Sequence, residues 1–207
     1  MNENAFFRDT EREGLLTRNP LFSNGIIIAP AVAACTGLYS AAILASVFSI
    51  VTCITVALCR FVPRKIVYTV RIILYTLVAS LVYVPVHLFF MSGEALAQMY
   101  LTVGIYAPLF ITNSMITLRT ETKFYRLSAV EMLRLAGFYV LGYDLALLVF
   151  GGIRGFLTTG TILGIKVLPF SVPALSSLYG GFILLAVVSA AFRWIVQIIS
   201  GGSSKTT

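Results

Sequence analysis

The sequence predicts an all-α polytopic membrane protein with six crossings, and three observations carry that expectation. First, 58% of the 207 residues are hydrophobic and only 11% are charged, against ~25% charged in a soluble domain. So few charges cannot cover a water-facing surface. Second, apolar runs recur at lengths that match a ~30 Å hydrocarbon core at about 1.5 Å per helical residue. Third, the net charge of +7 falls between those runs, as the positive-inside rule requires. A nucleic-acid interface would gather that charge on one soluble face, so no nucleic-acid partner is expected.

Residues 1–20 read as a polar tail. Thr10-Glu11-Arg12-Glu13 fits a capping box for a short surface helix. The tail has no apolar h-region, so a cleaved signal peptide is not expected. Residues 21–59 are almost unbroken apolar sequence, nearly twice the length of one crossing, so the run crosses twice. The turn is placed near Gly37-Leu38-Tyr39-Ser40. The first crossing is short and interrupted by Asn24, Gly25 and Pro30. A basic loop at 60–65 leads into a third crossing over 66–90. Ser92-Gly93-Glu94 is a short loop without Lys or Arg, and the fourth crossing covers 98–118. Within it, Thr112-Asn113-Ser114 breaks the apolar run. The fifth crossing is expected over 135–150. A Gly-, Thr- and Ser-rich stretch at 151–178 precedes the sixth, at 179–199. Residues 200–207 read as a small, polar, disordered tail.

Charge sets the orientation. With both termini cytoplasmic, the inner side holds Arg8, Arg12, Arg18, the 60–65 and 119–134 loops and Lys205. The outer side holds only Arg154 and Lys166. Six spans with both ends inside the cell membrane satisfy the rule, and a re-entrant first segment would lower the count to four or five.

Few residues carry chemistry. Cys35, Cys53 and Cys59 are three in number, contain no C-x-x-C and lie in apolar stretches, so they read as small buried side chains. Asp144 is the one acidic residue inside an expected span. An intramembrane carboxylate is a functional hypothesis by default, as a proton or sodium carrier; a structural pair with a basic residue is the other reading. Asn113 and Thr112 either shape a midplane site or join two helices. His87 reads as an interfacial polar residue. The glycines around Arg154 and in Gly160-Thr-Ile-Leu-Gly164 suit close helix approach. No catalytic triad, zinc pattern or phosphate loop occurs, so no self-contained active site is expected.

Ala29-Pro30 in the first crossing and Ala107-Pro108 in the fourth occupy matching places. Three spans per copy would invert the second copy relative to the first. The repeats would cover approximately 21–97 and 98–199.

Three stretches carry a family resemblance. Asn19-Pro20 precedes an apolar segment with Pro30. Tyr106-Ala-Pro-Leu-Phe-Ile-Thr-Asn-Ser114 follows, then Val149-Phe-Gly-Gly-Ile-Arg-Gly-Phe-Leu-Thr-Thr-Gly-Thr-Ile-Leu-Gly164, and Pro173 stands before the last span. In this order they resemble the Rnf/Nqr-type membrane subunits over about residues 19–200. The resemblance implies six spans in two inverted three-helix repeats with broken first and fourth helices. It implies a homologous six-span partner of opposite orientation, within a complex that couples electron transfer to Na+ or H+ translocation. It also implies two cysteine ligands to a midplane iron site. Here Ala29 and Ser114 stand where the family has those cysteines, and Gly155 replaces a Glu. A methyl group cannot ligate, and a neutral hydroxyl is a poor substitute for thiolate. No cofactor bound by this chain is therefore expected. The residues expected at a midplane or ion-path site are Pro30, Pro108, Thr112, Asn113, Asp144 and Arg154. The alternative function is a small-solute transporter, or the substrate-binding part of a modular importer.

Overall fold

The computed structural model describes residues 19–25, 27–63, 65–113, 115–120, 127–162, 165–166, 169 and 171–202. The capping-box tail at 10–13, Ser114, Lys123, Arg126 and Lys205 lie outside these. Among the described residues the protein is all-α apart from one two-residue antiparallel β pair. Five helical segments are long and apolar enough to cross a membrane: Leu38–Cys59, Tyr68–Met91, Glu94–Thr117, Ala129–Thr159 and Leu178–Ile199. The protein is thus a polytopic α-helical membrane protein.

The expected first crossing contains no span-length helix. Asn19 opens a turn in which its carbonyl accepts the amides of Ser23 and Asn24, both at 3.1 Å. Its side-chain Oδ1 accepts those of Leu21 and Phe22. The chain then passes Ile27, whose φ of 60° is left-handed. For a β-branched residue that conformation costs on the order of 1–3 kcal/mol. Only six residues of helix follow, α1 (Ile28–Ala33). Pro30 sits in its first turn, where a missing N–H costs nothing. After a break at 34–37, α2 (Leu38–Cys59) runs unbroken. Its start is fixed by the Ser40 hydroxyl, which accepts the amides of Thr36 and Gly37 at 3.0 Å each.

The next two helices are α3 (Tyr68–Met91), with Pro85 inside it, and α4 (Glu94–Val103). The fourth crossing does not stay α-helical. It tightens to a 3-10 helix over Gly104–Thr112, opens at Asn113 and resumes as a π turn over Met115–Arg119. Both interrupted segments therefore occur where the sequence places them, and they pack on each other.

Helix α5 (Ala129–Thr159) corrects the expectation of a short fifth crossing at 135–150. It begins earlier because Ser128 and Glu131 form a capping box: the Ser128 amide donates to Glu131 Oε2 at 2.9 Å. It also continues through Arg154, which the sequence reading assigned to an outer stretch. The 3-10 turn Pro173–Ser176 leads into α6 (Leu178–Gly202). The core is built on α2 against α5, the most extensive helix pairing among the described residues.

Small residues set that interface. A Cβ built on Gly151 would lie 2.6 Å from Ala41 Cβ, 2.7 Å from Cys35 Sγ and 2.8 Å from the Gly37 carbonyl. One on Gly155 would lie 3.1 Å from Gly37 Cα. The Gly151-x-x-x-Gly155 spacing thus lets α5 press its backbone against the α1–α2 corner. Gly137, on the same helix, has no atom within 4 Å of such a Cβ. Gly151→Ala should therefore destabilise the protein. Gly137→Ala should be neutral or stabilising by up to ~1 kcal/mol, from helix propensity alone. Thermal unfolding of the two variants in detergent separates them.

Candidate functional site

Two polar clusters flank the interrupted segments. The first is built on Arg154, which is 1% exposed. Its guanidinium has five N–H donors in a rigid fork, and every one reaches a backbone carbonyl. Nε donates to Leu175 O at 2.9 Å. Nη1 donates to Val32 O and, at 3.0 Å, to Cys35 O. Nη2 donates to Ser176 O and Ser177 O, both at 3.1 Å. The sources of these carbonyls explain the arrangement. Val32 and Cys35 lie at the end of α1, and residues 175–177 end the 3-10 turn. Helix ends leave carbonyls without intrahelical donors, and the negative end of a helix favours a cation. One side chain on α5 therefore satisfies two broken ends together, and no carboxylate among the described residues pairs with it. Gly181 makes room: a Cβ there would lie 2.9 Å from Arg154 Nη2.

The second cluster lies on α2. Asn113, 3% exposed, stands at the break of the fourth crossing. Its Nδ2 donates to Phe110 O at 2.7 Å and to Thr52 Oγ1 at 3.3 Å. Its Oδ1 accepts the Ile116 amide at 3.0 Å. The amide side chain thus reinforces the two backbone bonds at the break, Ile116 N–H to Asn113 O at 3.1 Å and Asn113 N–H to Phe110 O at 3.4 Å. One helical turn away on α2, Ser49 donates its hydroxyl to Asp144 Oδ2. The other oxygen, Asp144 Oδ1, is buried and has no hydrogen-bond partner among the described residues. The structural reading of Asp144 as half of an ion pair therefore finds no cation among them. Phe48, Phe110 and Tyr143 fill the space between, with centroids 4.3 Å apart for Phe48 and Tyr143 and 5.2 Å for Phe48 and Phe110. Tyr143 donates to the carbonyl of left-handed Ile27 at 3.0 Å, which holds that conformation in place.

The other expected residues are placed differently. Pro30 is buried in α1, whereas Pro108 and Thr112 are exposed on the 3-10 helix. The Thr112 hydroxyl donates back to Leu109 O at 3.3 Å. Ala29 is exposed on α1. His87 is hydrogen-bonded rather than isolated: its Nδ1 lies 3.1 Å from Tyr100 Oη, which is 2.6 Å from Tyr83 Oη.

The cysteines among the described residues are not gathered into one cluster. Cys35 is buried and donates to Leu147 O at 3.6 Å. Cys53 and Cys59 are on α2, and six residues put them roughly 120° apart around the axis. No group of three or more His, Cys, Asp or Glu among the described residues is placed to hold a metal ion.

Some polar residues escaped the sequence reading. Asn19 caps its own turn and donates from Nδ2 to Gly142 O at 2.8 Å, tying the chain entry to α5. Ser49 and Thr52 carry no signal in sequence, since hydroxyls are common in apolar helices. Arg193 did carry one, as a cation inside an expected span.

Arg154→Met should leave four carbonyls without a donor, Ser177 O keeping the Gly181 amide at 3.0 Å, and cost about 3 kcal/mol or more. Arg154→Lys keeps the charge but only three donors, so its loss should be smaller. Unfolding in detergent, followed by a scan of both variants, gives the order wild type, Lys, Met.

No curated protein matches this chain. The family model described as "Rnf-Nqr subunit, membrane protein" matches residues 8–199, which include both interrupted segments and both polar clusters. The chain belongs to the Rnf-Nqr subunit family of membrane proteins.

Proposed function

We propose that this protein is an integral subunit of an Rnf/Nqr-type electron transport complex that couples electron transfer to Na+ or H+ translocation. The family match over residues 8–199 carries this reading. In it, two inverted repeats, approximately 21–97 and 98–199, pair through α2 and α5. The interrupted segments of each repeat then meet, as α1 and the 3-10 helix Gly104–Thr112 do. A homologous six-span subunit completes the assembly. The chain contributes a helical scaffold and an ion path and supplies no iron ligands of its own.

The orientation with both termini cytoplasmic gains support from Arg154. With that residue drawn into the helix interior, Lys166 is left as the sole cation of the two assigned to the outer side. Within the span, Asp144 is the residue suited to carry an ion. Its unpartnered Oδ1 can take a proton or face a sodium ion, and Ser49 orients Oδ2. Thr52 and Asn113 lie close by on the same stretch of α2 and the facing break.

Purification of the tagged protein from its native membrane in mild detergent tests the assignment. The expected result is co-purification of a homologous six-span subunit with flavin- and ferredoxin-type partners. An ATPase pair in their place would overturn it in favour of an importer. In membrane vesicles, Asp144→Asn should leave the complex assembled and abolish ion uptake driven by electron transfer. Unchanged uptake would remove Asp144 from the path.

A further inference from the structure

We propose that a groove along the lipid-facing side of α6 binds an anionic phospholipid, with its phosphate on Arg193 and an acyl chain along Ala186 and Ala190. The groove encloses about 470 Å3 and is lined by Ala186, Ser189, Ala190, Arg193, Trp194 and Gln197. That volume lies within the range of ordinary ligand sites, ~300–1,000 Å3. Its lining is chemically divided. Two alanines and a serine leave a shallow apolar channel, while Arg193, Gln197 and Ser189 supply donors beside it.

Arg193 is the deciding residue. Nε donates to Phe22 O at 3.3 Å and Nη2 to Ser23 O at 2.6 Å. These two bonds hold the guanidinium on the turn that begins the membrane domain. They leave Nη1 and one Nη2 proton without an acceptor among the described residues, on a side chain that is itself exposed. No carboxylate among those residues neutralises the charge. A cation on a bilayer-facing surface is costly without an anionic partner, and planar N–H donors suit phosphate oxygens.

The depth is consistent with a headgroup. The turn that Arg193 grips contains Ser23 and the exposed Asn24, residues of the entry to the membrane rather than of its centre. Trp194, 65% exposed, is the aromatic type that settles at the headgroup level. On the orientation proposed above this is the cytoplasmic leaflet, where anionic lipids and juxtamembrane cations attract each other.

The test uses the complete complex, reconstituted in nanodiscs of mixed phosphatidylglycerol and phosphatidylcholine, released into mild detergent and weighed by native mass spectrometry. Wild type should retain phosphatidylglycerol in preference to phosphatidylcholine. Arg193→Gln should lose that preference. Because Arg193 also braces the entry turn, Ala190→Phe is the independent variant: it fills the groove from an exposed position and leaves both Arg193 bonds intact. It too should lose the retained lipid. Equal retention of the two lipids by wild type, or unchanged retention by Ala190→Phe, overturns the proposal. So does a neighbouring subunit cross-linked to α6 at Ala190.

Discussion

The Arg154 guanidinium places all five of its N–H groups on backbone carbonyls at the end of α1 and at the 3-10 turn Pro173–Ser176 with Ser177 after it. In water such ends need no help. In hydrocarbon every unpaired carbonyl is expensive, and a six-residue helix has as many frayed ends as a long one. A helix end shut away from water is therefore stable only if something supplies donors. Arginine is suited to that role because its fork is rigid and its charge persists. The carbonyl dipoles in turn offset the cost of burying the charge. Much of the surrounding sequence follows from this arrangement. Gly151 and Gly155 bring α5 close enough for Arg154 to reach the end of α1, and Gly181 clears the space the guanidinium fills.

The same constraint acts twice more with smaller side chains. Asn113 bridges the break in the fourth crossing by accepting one amide and donating to one carbonyl. Asn19 does the like at the entry turn, accepting two amides and anchoring to α5 through Gly142. In each case the side chain bonds the backbone where continuous helix is interrupted, at Asn113 in addition to the backbone bonds of Ile116 and Phe110. The interruptions are thus built features with dedicated partners. Asp144 differs: one carboxylate oxygen is buried without a partner among the described residues, while the Ser49, Thr52 and Asn113 side chains near it are bonded. A scaffold requirement explains the asparagines and Arg154 but gives no reason for a carboxylate there. That contrast is why we propose Asp144 rather than Asn113 as the ion carrier.

Much of the fold was legible because hydropathy reports the bilayer directly. The third crossing, expected at 66–90, forms as Tyr68–Met91, and the sixth, expected at 179–199, as Leu178–Gly202. The first and fourth segments were legible as interrupted because proline and amide residues stand inside apolar runs. The fifth was misjudged for a specific reason. Arg154 among glycines has the composition of a loop, and composition cannot tell a solvated arginine from one wrapped in carbonyls. Its partners lie 21 to 122 residues away along the chain, beyond any local pattern. The Ser49–Asp144 contact was hidden in the same way, by a separation of 95 residues. Arg193 was readable in sequence as a charge inside a span, yet only its exposure and its grip on the entry turn show why it matters.

Arg154 couples two distant backbone segments into one unit. Hydrogen–deuterium exchange of the complex in nanodiscs, comparing wild type with Arg154→Met, measures that coupling directly. In the variant, residues 32–37 and 174–178 should lose protection together, while α2 and α3 away from them keep theirs. Loss at only one of the two segments, or at neither, would contradict it.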